Sequence, residues 1–408
     1  MINQRQLDRT KVSRSLLIVL AAYAVLRIPL VASSFPAWYH QFNETIIFQM
    51  ARDLADTGNA YGGSHITNAG LVFNGLIAAP VFLLDLPEQF VRSFGFIAGL
   101  VTITFVWKIQ VLQGISERSR FATAFLLVVI PHFVIMTGFA TYHSLHMMFG
   151  VLAIYYFLKW RESRDNWRFA IFSGLFAGFA ALNHLAGFAV TGTVLALLLV
   201  GDLGRLKELL RSTGARKLLI SYMFWMTPAL IYFIIQKSTG ALDNYDKFTF
   251  RESNYLLTTT QWWRWQIHYM AEYQPHFAVI MLAIVTYITV WIYRKRSAKS
   301  SDYRPSHMSK ATQFWLIWFL IGLFQVFYTP QGALIHEYYM WWSLIPSVPL
   351  LVGLLDFLIG KKRNYWMSIV GAVILLSAIV SVAQVSRAYG ATDIPILCRY
   401  QNCESESQ

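Results

Sequence analysis

Apolar stretches of bilayer-spanning length recur along nearly the whole chain, and the short segments between them are rich in lysine and arginine. A helix needs about 20 apolar residues to cross about 30 Å of hydrocarbon. Backbone polar groups in lipid must be satisfied within the segment itself, so such stretches have to be helical. Eleven candidate spans follow: 15–32, 89–108, 121–140, 143–159, 168–183, 185–201, 218–236, 276–293, 311–328, 338–359 and 366–387. The run 168–201 is too long for one upright helix and is interrupted at Asn183-His184, so it divides there.

Charge orients the spans. Basic groups occur at Arg5 to Arg14, Lys108 to Arg120, Lys159 to Arg168, Arg205 to Lys217, Arg294 to Lys299 and Lys361 to Arg363. Basic clusters between apolar runs mark the cytoplasmic side. All six fall on that side if the further apolar run 67–85 enters and leaves on the outer face as a re-entrant or interfacial segment. The N-terminus is then inside and the C-terminus outside. Only 13% of the residues are charged, against about 25% in soluble domains. The net charge of +13 is dispersed among loops and makes no contiguous basic stripe, which argues against nucleic acid. The expected fold class is an all-α polytopic membrane protein. Residues 1–387 form one transmembrane domain and 388–408 an outer tail. Cys398 and Cys403 lie together in that tail, where a disulfide and two separate thiols both remain open.

One polar stretch stands out between the first apolar run and the next. Trp38 to Asn59 reads WYHQFNETIIFQMARDLADTGN, inside an outer loop spanning 33–88. Asn43 is an N-cap residue, Glu44 places an anion at the positive end of the helix dipole, and Gly58 supplies the stop. Ile46, Ile47, Met50, Ala51 and Leu54 share one stripe, which predicts an amphipathic surface helix over 43–57. Glu44 is thereby a candidate general base, or only a helix-terminal anion.

Other candidates face the same side. Arg27 lies inside the first span and Arg92 opens the second. A charge at mid-membrane costs about 2.5–3.5 kcal/mol on insertion scales, so each arginine either snorkels or serves an anion such as phosphate. His143 and His146 open the fourth span on one helical face, and His184 sits at the 183–184 break. Two histidines are weak grounds for a metal, and lining of a polar cavity is the simpler reading. His336-Glu337 lacks the second histidine of a zinc-protease helix, because position 340 is Met. It is left as an ionisable pair suited to a polar headgroup. The outer loop 237–275 carries Trp262, Trp263, Arg264, Trp265, His268 and Tyr269, which suit an interfacial helix or a sugar and lipid-phosphate surface.

Several of these stretches together resemble the GT-C membrane glycosyltransferases, especially the branch of protein O-mannosyltransferases and the lipid A aminoarabinose transferase. FNETIIFQMARDLADTG is similar to the acidic opening of the first outer loop, and NAGLVFNGLIAAPVFLL to the interfacial segment after it. VRSFGFIAGL, SGLFAGFAALNHLAGF and HEYYMWWSLIPSVPLL are similar to later spans. Asn43 stands where the family has its first acid, His143 where it often has Asp, and His184 where it often has Lys. The resemblance implies a GT-C-like bundle of about eleven helices with outer-face juxtamembrane helices; in a prokaryote such a protein would lie in the plasma (inner) membrane. It implies transfer of a sugar from a polyprenyl-phosphate carrier to a lipid, glycan or protein acceptor, with inversion. Glu44 would be the base; Arg27, Arg92, His143, His184, Arg264, His336 and Glu337 would bind substrate or phosphate. No cofactor is assigned, and a divalent cation is left open. The loss of the first acid keeps open a non-catalytic carrier-binding protein; a lipid or glycan transporter is the third reading.

Overall fold

The computed structural model describes residues 13–32, 79–87, 89–139, 143–163, 166–202, 212–238, 254–297, 308–328, 340–359 and 363–390. All regular elements among them are helices. The order is α1 (Arg14–Ala32), α2 (Ala79–Leu83), α3 (Gln89–Leu112), α4 (Glu117–Val129), α5 (Pro131–Gly138), α6 (His143–Glu162) and α7 (Trp167–Asn183). It continues with α8 (Phe188–Asp202), α9 (Thr213–Ser238), α10 (Thr260–Tyr273), α11 (His276–Ser297), α12 (Lys310–Tyr328), α13 (Trp341–Ile359) and α14 (Arg363–Gly390). Among the described residues six helices are long and apolar enough to cross a membrane, or seven if α4 and α5 make one bent span. By length and composition alone that is fewer than the eleven crossings read from the sequence, although each of those eleven stretches contains helix. The protein is an integral, multi-pass membrane protein.

The predicted division of 168–201 is present: α7 stops at Asn183, a 3-10 turn covers Leu185–Gly187, and α8 follows. The predicted span 121–140 differs. It bends by 64° between α4 and α5. Pro131 has no N–H to continue the ladder, and it opens α5, where that loss costs nothing. Side chains from two other helices hold carbonyls at the bend: Arg27 Nη2 donates to Val128 O at 2.8 Å, and Ser381 Oγ to Val129 O at 2.6 Å.

Small and hydroxylated residues bring α7 against α9. Ser173 Oγ donates to Ala153 O at 2.9 Å and meets Tyr222 Oη at 2.8 Å, while Ser221 Oγ donates to Ala170 O at 3.0 Å. A Cβ on Gly178 would collide with the Trp225 carbonyl oxygen. Lipid tails are as apolar as leucine, so close backbone approach supplies the packing that burial supplies in water. Gly178→Val is expected to lower stability by about 1–3 kcal/mol, read as a drop in melting temperature in detergent.

At one end of the bundle, charged and hydroxyl groups tie four helices. Ser13 and Ser15 donate to Glu117 Oε1, Ser119 Oγ donates to Asp356 Oδ2 at 2.8 Å, and the Arg118 guanidinium stacks over Trp366 at 4.1 Å. The Ser13 hydroxyl, then that of Ser15, holds the exposed Glu117 carboxyl below its ordinary range.

Candidate functional site

The break between α7 and α8 and the starts of α6 and α13 converge on three histidines. His143, His146 and His184 are 2%, 0% and 4% exposed. Their ring centroids lie 5.1 Å (143–146), 5.4 Å (146–184) and 5.9 Å (143–184) apart. Trp341, the first residue of α13, places its ring centroid 4.1 Å from that of His146. Helical spacing puts His143 and His146 on one face. His184 joins them because α7 ends one residue earlier and the backbone there is extended.

Hydrogen bonds set the tautomers. The Ala186 N–H donates to His184 Nδ1 at 3.0 Å, so the neutral ring carries its proton on Nε2. The Asn183 amide Nδ2 lies 3.3 Å from His146 Nδ1, and His146 Nε2 lies 3.1 Å from His143 Nδ1. With the amide donating, His146 accepts at Nδ1 and donates from Nε2, which leaves the His143 proton on Nε2. Three imidazoles invite a metal. Yet His143 and His146 face each other as hydrogen-bond partners, and among the described residues no group of three His, Cys, Asp or Glu is arranged to hold an ion.

The arginines make other contacts. Arg27 is 1% exposed; besides Val128 O, its Nε donates to Thr137 Oγ1 at 3.1 Å, and its guanidinium lies 5.0 Å from the Tyr23 ring centroid. Arg92 is 2% exposed, and its Nη1 donates to Leu30 O at 3.3 Å in the last turn of α1, where a cation complements the helix dipole. Each thus donates to a backbone carbonyl of the protein itself. Arg264 is exposed on α10, whose buried face is Trp262, Gln266 and Tyr269. The expected helix in loop 237–275 is present as α10. Glu44, its helix 43–57, His336, Glu337, Cys398 and Cys403 lie outside the described residues, as does 67–78 of the interfacial segment.

The sequence reading missed a second buried polar set. Gln274 Nε2 donates to His132 Nδ1 at 2.7 Å, and His276 Nε2 meets Ser347 Oγ at 2.7 Å. Ser347 Oγ already donates to Leu344 O at 2.6 Å, so His276 is the donor in its pair. The available signal was polar residues within or beside apolar runs, which says nothing about who meets whom. Ser347→Ala leaves a buried N–H without its acceptor. It is expected to cost about 1–3 kcal/mol, read by thermal melting.

Residues 77–237 match the family described as dolichyl-phosphate-mannose-protein mannosyltransferase. No curated protein matches the sequence. Among solved structures, the Archaeoglobus fulgidus oligosaccharyltransferase in complex with Zn and sulfate is similar at 14% identity and a TM-score of 0.56 over 91% of this chain and 53% of its own. ArnT from Cupriavidus metallidurans in the apo state is similar at 15% identity and a TM-score of 0.53 over 92% of this chain and 70% of its own. The same ArnT bound to undecaprenyl phosphate gives 14%, 0.54, 92% and 70%. The chain therefore spans about half the length of the oligosaccharyltransferase. The fold is that shared with the oligosaccharyltransferase and ArnT structures.

Proposed function

We propose, from the premise of a GT-C fold, that the chain is a glycosyltransferase moving a sugar from a polyprenyl-phosphate carrier to an acceptor on the extracytoplasmic face. The observation that carries this reading is the buried imidazole cluster at the α7–α8 break, in a fold whose ArnT neighbour has been captured with undecaprenyl phosphate. Glu44 takes the proton of an acceptor hydroxyl, whose oxygen attacks the anomeric carbon. The bond from that carbon to the lipid phosphate oxygen breaks, and the configuration inverts. The departing phosphate gains charge, and His143 and His184, with protons on Nε2, donate to it. Fixed donors in a dry site act most strongly where charge develops. Sugar donor, membrane lipids and a lipid, glycan or protein acceptor are the partners this chemistry needs.

A second reading, a carrier-binding protein without turnover, is favoured by one residue: Asn43 stands where the resembled family has its first acid. One assay separates them. The purified protein in liposomes is given a radiolabelled polyprenyl-phosphate sugar and a mixture of lipid acceptors. Transfer with release of polyprenyl phosphate supports the enzyme; saturable binding without release selects the second reading; neither binding nor release sinks both.

A further inference from the structure

Adjacent tryptophans open α13, and their indole protons have different fates. Trp342 Nε1 donates to Thr193 Oγ1 at 2.8 Å, and that hydroxyl donates onward to Ala189 O at 2.8 Å. Trp341 is 1% exposed, and among the described residues its Nε1 has no acceptor. A buried donor left unmet costs about 1–3 kcal/mol, so an indole in this position needs a reason. Its surroundings supply one. The ring lies against His146, whose own neighbours are His143, Asn183 and His184, none of them a carboxylate.

Helix direction points the same way. α6 begins at His143, α13 at Trp341, and α8 follows His184 by four residues. Each start carries the partial positive charge of its helix, and backbone N–H groups there lack helical partners. The starts of α6 and α13 are in contact through His146 and Trp341, and the α7–α8 break joins them through His184. Converging helix starts with N–H side chains favour an anion.

We propose that Trp341, packed against His146, is an anion-binding residue: its indole N–H donates to an oxygen of a terminal phosphate, lipid-linked or free. This rests on the functional reading above and deepens it by adding a ligand-binding side chain to the candidate site. Trp315 and Trp318 are the internal controls. Both are fully buried with unmet N–H groups, yet they stack on each other at 5.3 Å.

Equilibrium binding of radiolabelled undecaprenyl phosphate to the full chain in detergent tests this without requiring turnover. Trp341→Phe removes the donor and keeps an aromatic ring; affinity is expected to fall about tenfold, the size of one hydrogen bond to a charged group. Binding of undecaprenol, which lacks the phosphate, stays unchanged, and the melting temperature holds or rises because an unmet donor has been removed. Trp318→Phe leaves affinity unaltered. Competition by inorganic phosphate alone identifies a free anion as the occupant; displacement only by the lipid phosphate identifies a headgroup. Unchanged affinity in folded Trp341→Phe overturns the proposal, even where sugar transfer by the wild type is intact. Failed transfer with the expected tenfold loss leaves it standing. Should Trp341→Phe not fold, indole-labelled wild-type protein decides: an indole N–H resonance moves downfield on adding undecaprenyl phosphate, and no movement rejects the assignment.

Discussion

Glu44→Gln is expected to lower the rate of sugar transfer by about a thousandfold, within the range for loss of a general base. The amide matches the carboxylate in shape and can still accept a hydrogen bond, but it cannot take the acceptor's proton. Asn43, its neighbour, cannot stand in for the same reason. Folding should survive, because an anion in the first turn of the helix that the sequence predicts over 43–57 would contribute only about 0.3–1 kcal/mol. Carrier binding should also survive, since the groups assigned to the phosphate are elsewhere. The measurement is the initial transfer rate at saturating donor, beside donor affinity. A variant that transfers at the wild-type rate removes Glu44 from the mechanism.

Arg27→Met is expected to act on stability, and more strongly than any other single change described above. The side chain donates to two buried acceptors, Val128 O and Thr137 Oγ1. Methionine fills a similar volume and satisfies neither. Each abandoned acceptor costs about 1–3 kcal/mol, so the pair amounts to about 2–6 kcal/mol. Relief of the buried charge offsets little, because the unfolded but inserted helix also carries the arginine in lipid, where it costs about 2.5–3.5 kcal/mol. The first acceptor matters most, since it lies at the α4–α5 bend. Arg27→Lys should recover only part of the loss: a point charge cannot reach both acceptors as the planar guanidinium does. The readout is the melting temperature, with carrier affinity per folded molecule unchanged. If Arg27→Met melts as wild type but no longer binds undecaprenyl phosphate, the arginine is a ligand and its carbonyl contact is incidental.

These two expectations rest on different kinds of legibility. Glu44 was singled out by its local setting, an N-cap, a dipole and an apolar stripe within about four helical turns. Arg27 was singled out as a charge where charge is costly, but its partners sit 101 and 110 residues away. Nothing in the first span names Val128. The same holds for His132 and Gln274, paired across 142 residues, and for His146 and Trp341. His143 and His184 were separately suspected; that they share one buried cluster was not readable from either segment.

Apolar length alone settled that the chain is a helical membrane protein, and the interruption at Asn183-His184 settled where one long run divides. Both are properties of a few consecutive residues in contact with lipid, and they hold whatever the neighbours are. The 64° bend at Pro131, the carbonyls given to Arg27 and Ser381, and the meeting of three histidines with Trp341 depend on which helices pack side by side. Hydrophobic tails are an equally good neighbour for every apolar face, so hydropathy carries no preference among partners. Steric fit and buried polar pairing between distant segments make that choice, and they exist only once the bundle is assembled.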